Sequence, residues 1–445
     1  MIRSAFTLLA IAFFLPMSEA RSASPTVVVA GGMSEAELIA VSVAVAAAMP
    51  EADFLLDSPR ADITTKPLFE RSKPAKIIPV GTFPKDRDMA KMWGDVKSVV
   101  QPVETDPVKF IWSLYPKTSS VVLVPREPAG QLLQAACLAG SLKLPLLVEP
   151  EKGSWNLGEG VNQIIVIGSL IKPWRNSANG GRVELADEAA VAAAHRKELV
   201  RRGPIETLVL ANPADKNRES ILAPWVAVKK RAALLLASPD GKDAGAVVAA
   251  ALKEKNTARA DSLHVLADLE AIPQIKRVNP AQGKDEQIDV EPWIPAGNGL
   301  ITFASARLFH ADRSIIPLVF ARQRLFENNP EPIKVLIASN PGDGLPLLET
   351  FSRNTGRELE NAGCKVTGLY GKDSLTGKEL RDLVPKHDIF LWEGHYRTLI
   401  DNYEMLKWTE QLRPSIIFLQ SCLALNPPEA SLLFDRGAVA VMGSP

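Results

Sequence analysis

Apolar residues gather in short blocks separated by longer stretches of mixed polarity. The clearest blocks are Thr26 to Ala30, Ile77-Ile78, Val121 to Val124, Leu144 to Val148, Gln163 to Ile167, Leu208 to Ala211 and Leu234 to Ala237. A second series follows at Ile333 to Ala338, Asp388 to Trp392, Ser415 to Leu419 and Ala438 to Met442. Blocks of this length without internal alternation predict strands buried on both faces, and the helical patterns between them predict crossovers. The chain therefore reads as α/β with parallel sheets. At its first turn, Gly31-Gly32 is followed by Ser34 and, three residues on, Glu37, which predicts a capping box on a helix running to Ala48.

Two segments interrupt the pattern. Ala5 to Met17 is an unbroken apolar run behind Arg3, and Ser18-Glu19-Ala20 ends it with small residues at the two positions a signal peptidase reads. That order predicts a signal peptide over 1–20, with a run too short for the ~20 residues a bilayer demands. The mature protein is expected to be secreted or periplasmic and not an integral membrane protein. The second segment, 271–298, holds Pro273, Pro280, Pro292 and Pro295 around the charged run Lys284-Asp285-Glu286, and it reads as a linker. Between them lies a duplicated region, 26–270. Val121 to Val124 leads through an Ala-rich helix to Leu146-Leu147-Val148-Glu149-Pro150, and Leu208 to Ala211 leads through another to Leu234 to Pro239. Small residues in both helices (Ala135, Ala136, Ala139; Ala223, Ala227) suit close packing on a sheet. A strand, an Ala-rich helix, a Leu-Leu strand and a later strand ending in Gly (Ile164 to Gly168) together resemble the cell-wall-binding type 2 repeat, although the Asp-Ala-Leu usual at that family's helix start is missing.

Composition narrows the function classes. Lysine plus arginine and aspartate plus glutamate both number 51, so no net charge draws the 445-residue chain to nucleic acid or acidic membranes. Apolar residues at 46% and charged residues at 23% exclude whole-chain disorder. Three cysteines, Cys137, Cys364 and Cys422, are too few and odd for a disulfide framework. Among five histidines only His387 and His395 lie close together, eight apart across a strand and without a ligand motif, so no metal and no other cofactor is expected. A phosphate-binding reading of Gly31-Gly32 or of Asn340-Pro341-Gly342-Asp343-Gly344 lacks Walker spacing and a following Lys-Ser/Thr.

The reactive side chains concentrate in the last third, 299–445. Asp388 to Trp392 runs into Glu393-Gly394-His395-Tyr396, and Ser415 to Leu419 runs into Gln420-Ser421-Cys422. Right-handed crossovers make successive strands parallel, so His395 and Cys422 are expected on one edge of one sheet, where open α/β folds hold their ligands. A cysteine after an apolar strand is ordinarily a small buried hydrophobe. One that shares a sheet edge with an imidazole can become a thiolate nucleophile. Cys137 and Cys364 lack such a histidine.

The sequences IFLWEGH and SIIFLQSC, followed by Glu429 to Phe434 and by Gly437-Ala438-Val439-Ala440-Val441, resemble the gingipain-type cysteine peptidases of the caspase-like clan. The segment from Ser305 to Phe326 is similar to what precedes that family's catalytic domain. The resemblance implies a caspase-like α/β domain, a protein or peptide substrate, Cys422 as nucleophile and His395 as general base. It also implies an oxyanion held by backbone N–H groups of Cys422 and Tyr396. Glu393 is a candidate to orient His395. Tyr396 stands where the family has glycine, and the family's domain continues past the strand that here runs to Pro445, so the catalytic domain is expected to be incomplete. Those two departures keep open a second reading. It is a catalytically inactive caspase-like envelope or surface protein whose repeats contact envelope polymer or a partner protein.

Overall fold

In the computed structural model, residues 25–85, 88–94, 96, 99–155, 157, 160–172, 181–278, 287–294, 303–339, 345–371, 375–395, 397–421 and 427–443 are described. The apolar blocks form strands, and the α/β expectation holds. The first unit comprises β1 (Thr26–Gly31), α1 (Glu35–Ala48), β2 (Asp53–Leu56) and β3 (Lys76–Gly81), with β1 central in a parallel sheet. It is followed by α2 (Pro107–Leu114). Ser34 caps α1 as predicted, its hydroxyl accepting from Glu37 N–H while its own N–H donates to the Glu37 carboxylate at 2.8 Å. Gly32 sits at φ +49°, and a Cβ there would meet the Thr82 carbonyl oxygen at 2.5 Å, so the turn demands glycine.

The second unit comprises β4 (Ser120–Val124), α3 (Ala129–Leu142), β5 (Leu146–Val148), β6 (Gln163–Ile167), β7 (Arg182–Leu185) and α4 (Glu188–Arg201). Its strand order is β5-β4-β6-β7. The third comprises β8 (Thr207–Ala211), α5 (Ala223–Lys230), β9 (Ala233–Leu236), α6 (Ala244–Lys253) and β10 (Ser262–Leu266). A hairpin of β11 (Ile275–Val278) and β12 (Gln287–Val290), then β13 (Ala304–Arg307), complete it, and α7 (Ile315–Glu327) follows. Its order is β9-β8-β10-β13. Each unit places its first strand between its second and third. Even the fourth position recurs, because Val100 and Glu104 form isolated parallel bridges beside β3.

The expected duplication is therefore a triplication, and the expected linker lies within it. Residues 275–278 and 287–290 pair as a hairpin, Trp293 is buried in the third unit's core, and β13 pairs in parallel with β10. The third unit thus reaches Arg307 instead of stopping at residue 270.

The three units meet through α1, α3 and α5, which pack on one another. This is why α1 and α3 are apolar on every side, with 11 and 12 of their 14 residues buried. The small residues expected to serve helix–sheet packing also serve helix–helix packing. The closest approach is at Gly140 of α3, where a Cβ would meet Val228 Cγ2 of α5 at 2.4 Å and Val43 Cγ1 of α1 at 2.9 Å.

The last domain is a five-stranded parallel sheet, ordered β15-β14-β16-β17-β18. It comprises β14 (Lys334–Ser339), α8 (Pro346–Asn361), β15 (Lys365–Tyr370), α9 (Gly377–Leu383), β16 (Ile389–Glu393), β17 (Ser415–Gln420), α10 (Pro427–Arg436) and β18 (Ala438–Gly443). Helix α7 joins it to the three units by packing on both β2 and β18. Buried Arg322 of α7 donates to the carbonyls of Phe434 in α10 and of Thr64 in the first unit. Asp435 pairs with Arg60 at 2.7 Å.

Gly140→Ala should lower stability although alanine favours helix by ~1 kcal/mol. Val43 and Val228 are short, stiff side chains that cannot swing aside, and overpacking costs about 1–3 kcal/mol. We expect a net loss of roughly 1–2 kcal/mol, read as a lower urea midpoint at unchanged slope. An unchanged or raised midpoint would contradict the close three-helix contact.

Candidate active site

Strand order 2-1-3-4-5 reverses direction between β14 and β16, and open α/β sheets bind ligands outside the carboxyl ends of strands at such a point. Three buried polar residues of this domain gather there. Ser339 ends β14 and stands opposite Glu393, which ends β16. Both are buried, as is Ser352 of α8. The Ser352 hydroxyl lies 2.7 Å from Ser339 Oγ and is hydrogen-bonded to the Glu393 carboxylate. Burial pushes the Glu393 carboxyl up, and the Ser352 hydrogen bond offsets part of that rise.

His395 follows two residues later and is exposed. Its partner strand β17 runs parallel to β16, with Glu393 opposite Gln420. The two strands expected to carry the histidine and the cysteine are thus neighbours, and their carboxyl ends share one edge. Tyr396 and Cys422 lie outside the described residues, so the expected oxyanion donors and nucleophile do as well. Glu393, the candidate orienter, has Ser352 as its side-chain partner among the described residues.

The connection between these strands departs from expectation. The sequence pattern from about Tyr403 to Leu412 predicts a helix. Residues 398–402 instead form a π-helical turn and 405–407 a single 3₁₀ turn. Glu404 adopts the left-handed conformation (φ +49°), which stops a helix there. The aromatic residues explain the break. Tyr403 stacks edge-on against Trp392 with ring centroids 5.6 Å apart, and Trp408 Nε1–H donates to the Tyr403 carbonyl at 2.8 Å. The crossover is shaped by burying three large rings, not by helical periodicity.

The remaining candidates fall where chemistry is unfavourable. Cys137 is fully buried in α3, and burial pushes its thiol up; Cys364 is buried too, and its thiol is raised for the same reason. Thiols held protonated in this way are weak nucleophiles. His387 precedes β16 while His395 follows it, so the one close histidine pair stands at opposite ends of a strand. His387 is further engaged with the Leu383 carbonyl at 2.7 Å and Thr367 Oγ1 at 3.2 Å.

No family model and no curated protein matches the chain. Among solved structures, Cwp6 from Clostridium difficile is similar over 83% of this chain at 18% identity, with a TM-score of 0.40. The chain spans 58% of that protein's length. Among the described residues no helix is long and apolar enough to cross a membrane.

Ionised Glu393 is penalised by burial, so its folded-state pKa lies above its unfolded value. Its contribution is favourable at acid pH and is lost as pH rises through the raised value. Glu393→Gln keeps the shape without the charge. It should match the wild type at acid pH and melt higher than it near neutrality. A Glu393→Gln curve that stays below the wild type at neutral pH, together with a shifted His395 imidazole titration by NMR, would instead assign Glu393 to the histidine.

Proposed function

We propose that the protein is a secreted thiol-dependent endopeptidase of gingipain type, with its active centre at the carboxyl ends of β16 and β17. The observation that carries this reading is the register of those strands. Glu393 lies opposite Gln420, so His395 and Cys422 each follow by two residues a paired position at the same sheet edge. The exposure of His395 agrees with a group that must reach a substrate.

In this reading the Cys422 thiol yields its proton to the His395 imidazole, and the thiolate attacks the peptide carbonyl. The tetrahedral oxyanion is held by the backbone N–H groups of Cys422 and Tyr396, each such donor contributing about 3 kcal/mol. As the intermediate collapses, His395 protonates the leaving amine. Water, deprotonated by the same imidazole, then hydrolyses the thioester and restores the thiol. The N-terminal apolar segment is the secretion signal.

A second reading is favoured by the occupation of Glu393 by Ser352 and by Tyr396 after the histidine. It keeps the caspase-like scaffold without turnover and assigns the three-unit region to contact with envelope polymer or a partner protein. The two readings separate on one experiment with the full chain. A peptide bearing a thiol-reactive acyl warhead should label the wild type, leave Cys422→Ala unlabelled and label His395→Ala far more slowly. Equal labelling of Cys422→Ala would sink the assignment, and an unlabelled wild type would favour the binding protein.

A further inference from the structure

The third unit carries a buried group of acidic side chains with no part in the proposed peptidase site. Asp215 follows β8 and Asp268 follows β10, two adjacent parallel strands, so both stand at the carboxyl edge of that sheet. Glu219 leads the 3₁₀ turn before α5. One carboxylate oxygen from each of the three lies within 4.8 Å of the others. Asp215 and Glu219 are 1% exposed and Asp268 is 9% exposed.

The loops hold two of these carboxylates in place. Asp215 Oδ1 accepts from Asn217 N–H at 2.9 Å and its Oδ2 from Ser220 N–H at 3.3 Å. Asp268 Oδ1 accepts from the N–H groups of Glu270 and Ala271 at 2.9 and 2.7 Å, and its Oδ2 accepts from the Asn217 amide. Glu219 is different: its Oε2 is buried and has no hydrogen-bond partner among the described residues. A buried carboxylate oxygen left bare costs several kcal/mol unless the group keeps a proton, which burial and the adjoining Asp215 carboxylate favour here, or a cation takes that place.

Neighbouring cations do not supply it. Arg218 turns away to Glu35 at 3.4 Å. Arg307 is held by both oxygens of Glu291, and its Nη1 donates to the main-chain carbonyls of Ala267 and Asp268. Among the described residues, no lysine or arginine forms an ion pair with Asp215, Glu219 or Asp268.

We propose that Asp215, Glu219 and Asp268 bind a single calcium ion, with the Asn217 side-chain amide turned to present its oxygen as a fourth ligand. All donors are oxygens, the preference of a hard cation. Calcium accepts them at ~2.4 Å, so ligand atoms around it can lie up to about twice that distance apart, and the three oxygens fall within that limit. Magnesium demands a tighter octahedron, near ~2.1 Å, and is usually held through one or two carboxylates and several waters, so three converging carboxylates suit calcium better. The ion would pin the β8 and β10 loops together and supply the charge that bare Glu219 Oε2 lacks.

The test uses the full chain freed of divalent ions with a chelator, with CaCl2 as the probe. Calorimetric titration should show a calcium ion bound at this site, and calcium should raise the melting temperature. Glu219→Gln replaces the bare oxygen with a neutral isostere and should still fold without metal. It should weaken binding at this site by more than the ~10–100-fold typical of losing an outer-shell partner. Asp268→Asn, which keeps one capping oxygen, should do the same, so the claim does not depend on one variant. No calcium binding by the wild type would overturn the proposal. Equal binding by a folded Glu219→Gln variant would overturn it too, as would stabilisation by MgCl2 with CaCl2 silent.

Discussion

The close contact of α1, α3 and α5 at Gly140 is the constraint on which the rest of the arrangement depends. Each of the three sheets buries one face in a smaller cluster of its own, and its other face must be covered by a neighbour. The three inner helices provide that cover only if they approach one another more closely than ordinary side chains permit. A missing Cβ between two valines makes the approach possible. The large core that results draws from all three sheets and reaches α7 through Ile316 and Phe320. Phe320 meets Trp225 of α5 edge-on at 4.9 Å, so the helix that leads into the last domain is seated on the same centre.

The sequence read the strands well because buried parallel strands are short apolar runs with little else to confuse them. It saw two repeats because the second and third units share Leu-rich second strands followed by proline. The first unit lacks that signature. Its second strand, Asp53–Leu56, carries an aspartate that the structure pairs with Arg324 of α7, a partner 271 residues distant. Its fourth position is two isolated bridges with no apolar run behind them. The proline-rich segment 271–298 looked like a linker because local composition says nothing about Trp293, which finds its core only after the chain has turned back.

The candidate active site was legible for a topological reason. Parallel pairing of consecutive strands fixes which residues share an edge, and His395 and Cys422 needed no further information to be singled out together. What surrounds them was not legible. Glu393 reads as a solvent-facing strand end until Ser339 and Ser352 are seen to bury it. The crossover that follows has a helical pattern, yet three aromatic rings claim its backbone. The acidic group of the third unit escaped for the same kind of reason. Asp215, Asn217 and Glu219 form a sparse local series, and Asp268 joins them from another strand, 51 residues beyond Asn217.

Arg322 gives the joint between the three units and the last domain a particular mechanical character. Apolar surfaces alone can slide past one another with little change in energy. An arginine with 3% of its surface exposed, its guanidinium tied to one carbonyl on each side of the joint, cannot. Any rotation of α10 away from α7 breaks a charged hydrogen bond before water can replace it. The two parts are therefore latched rather than hinged, and cooperativity between them is built into one side chain.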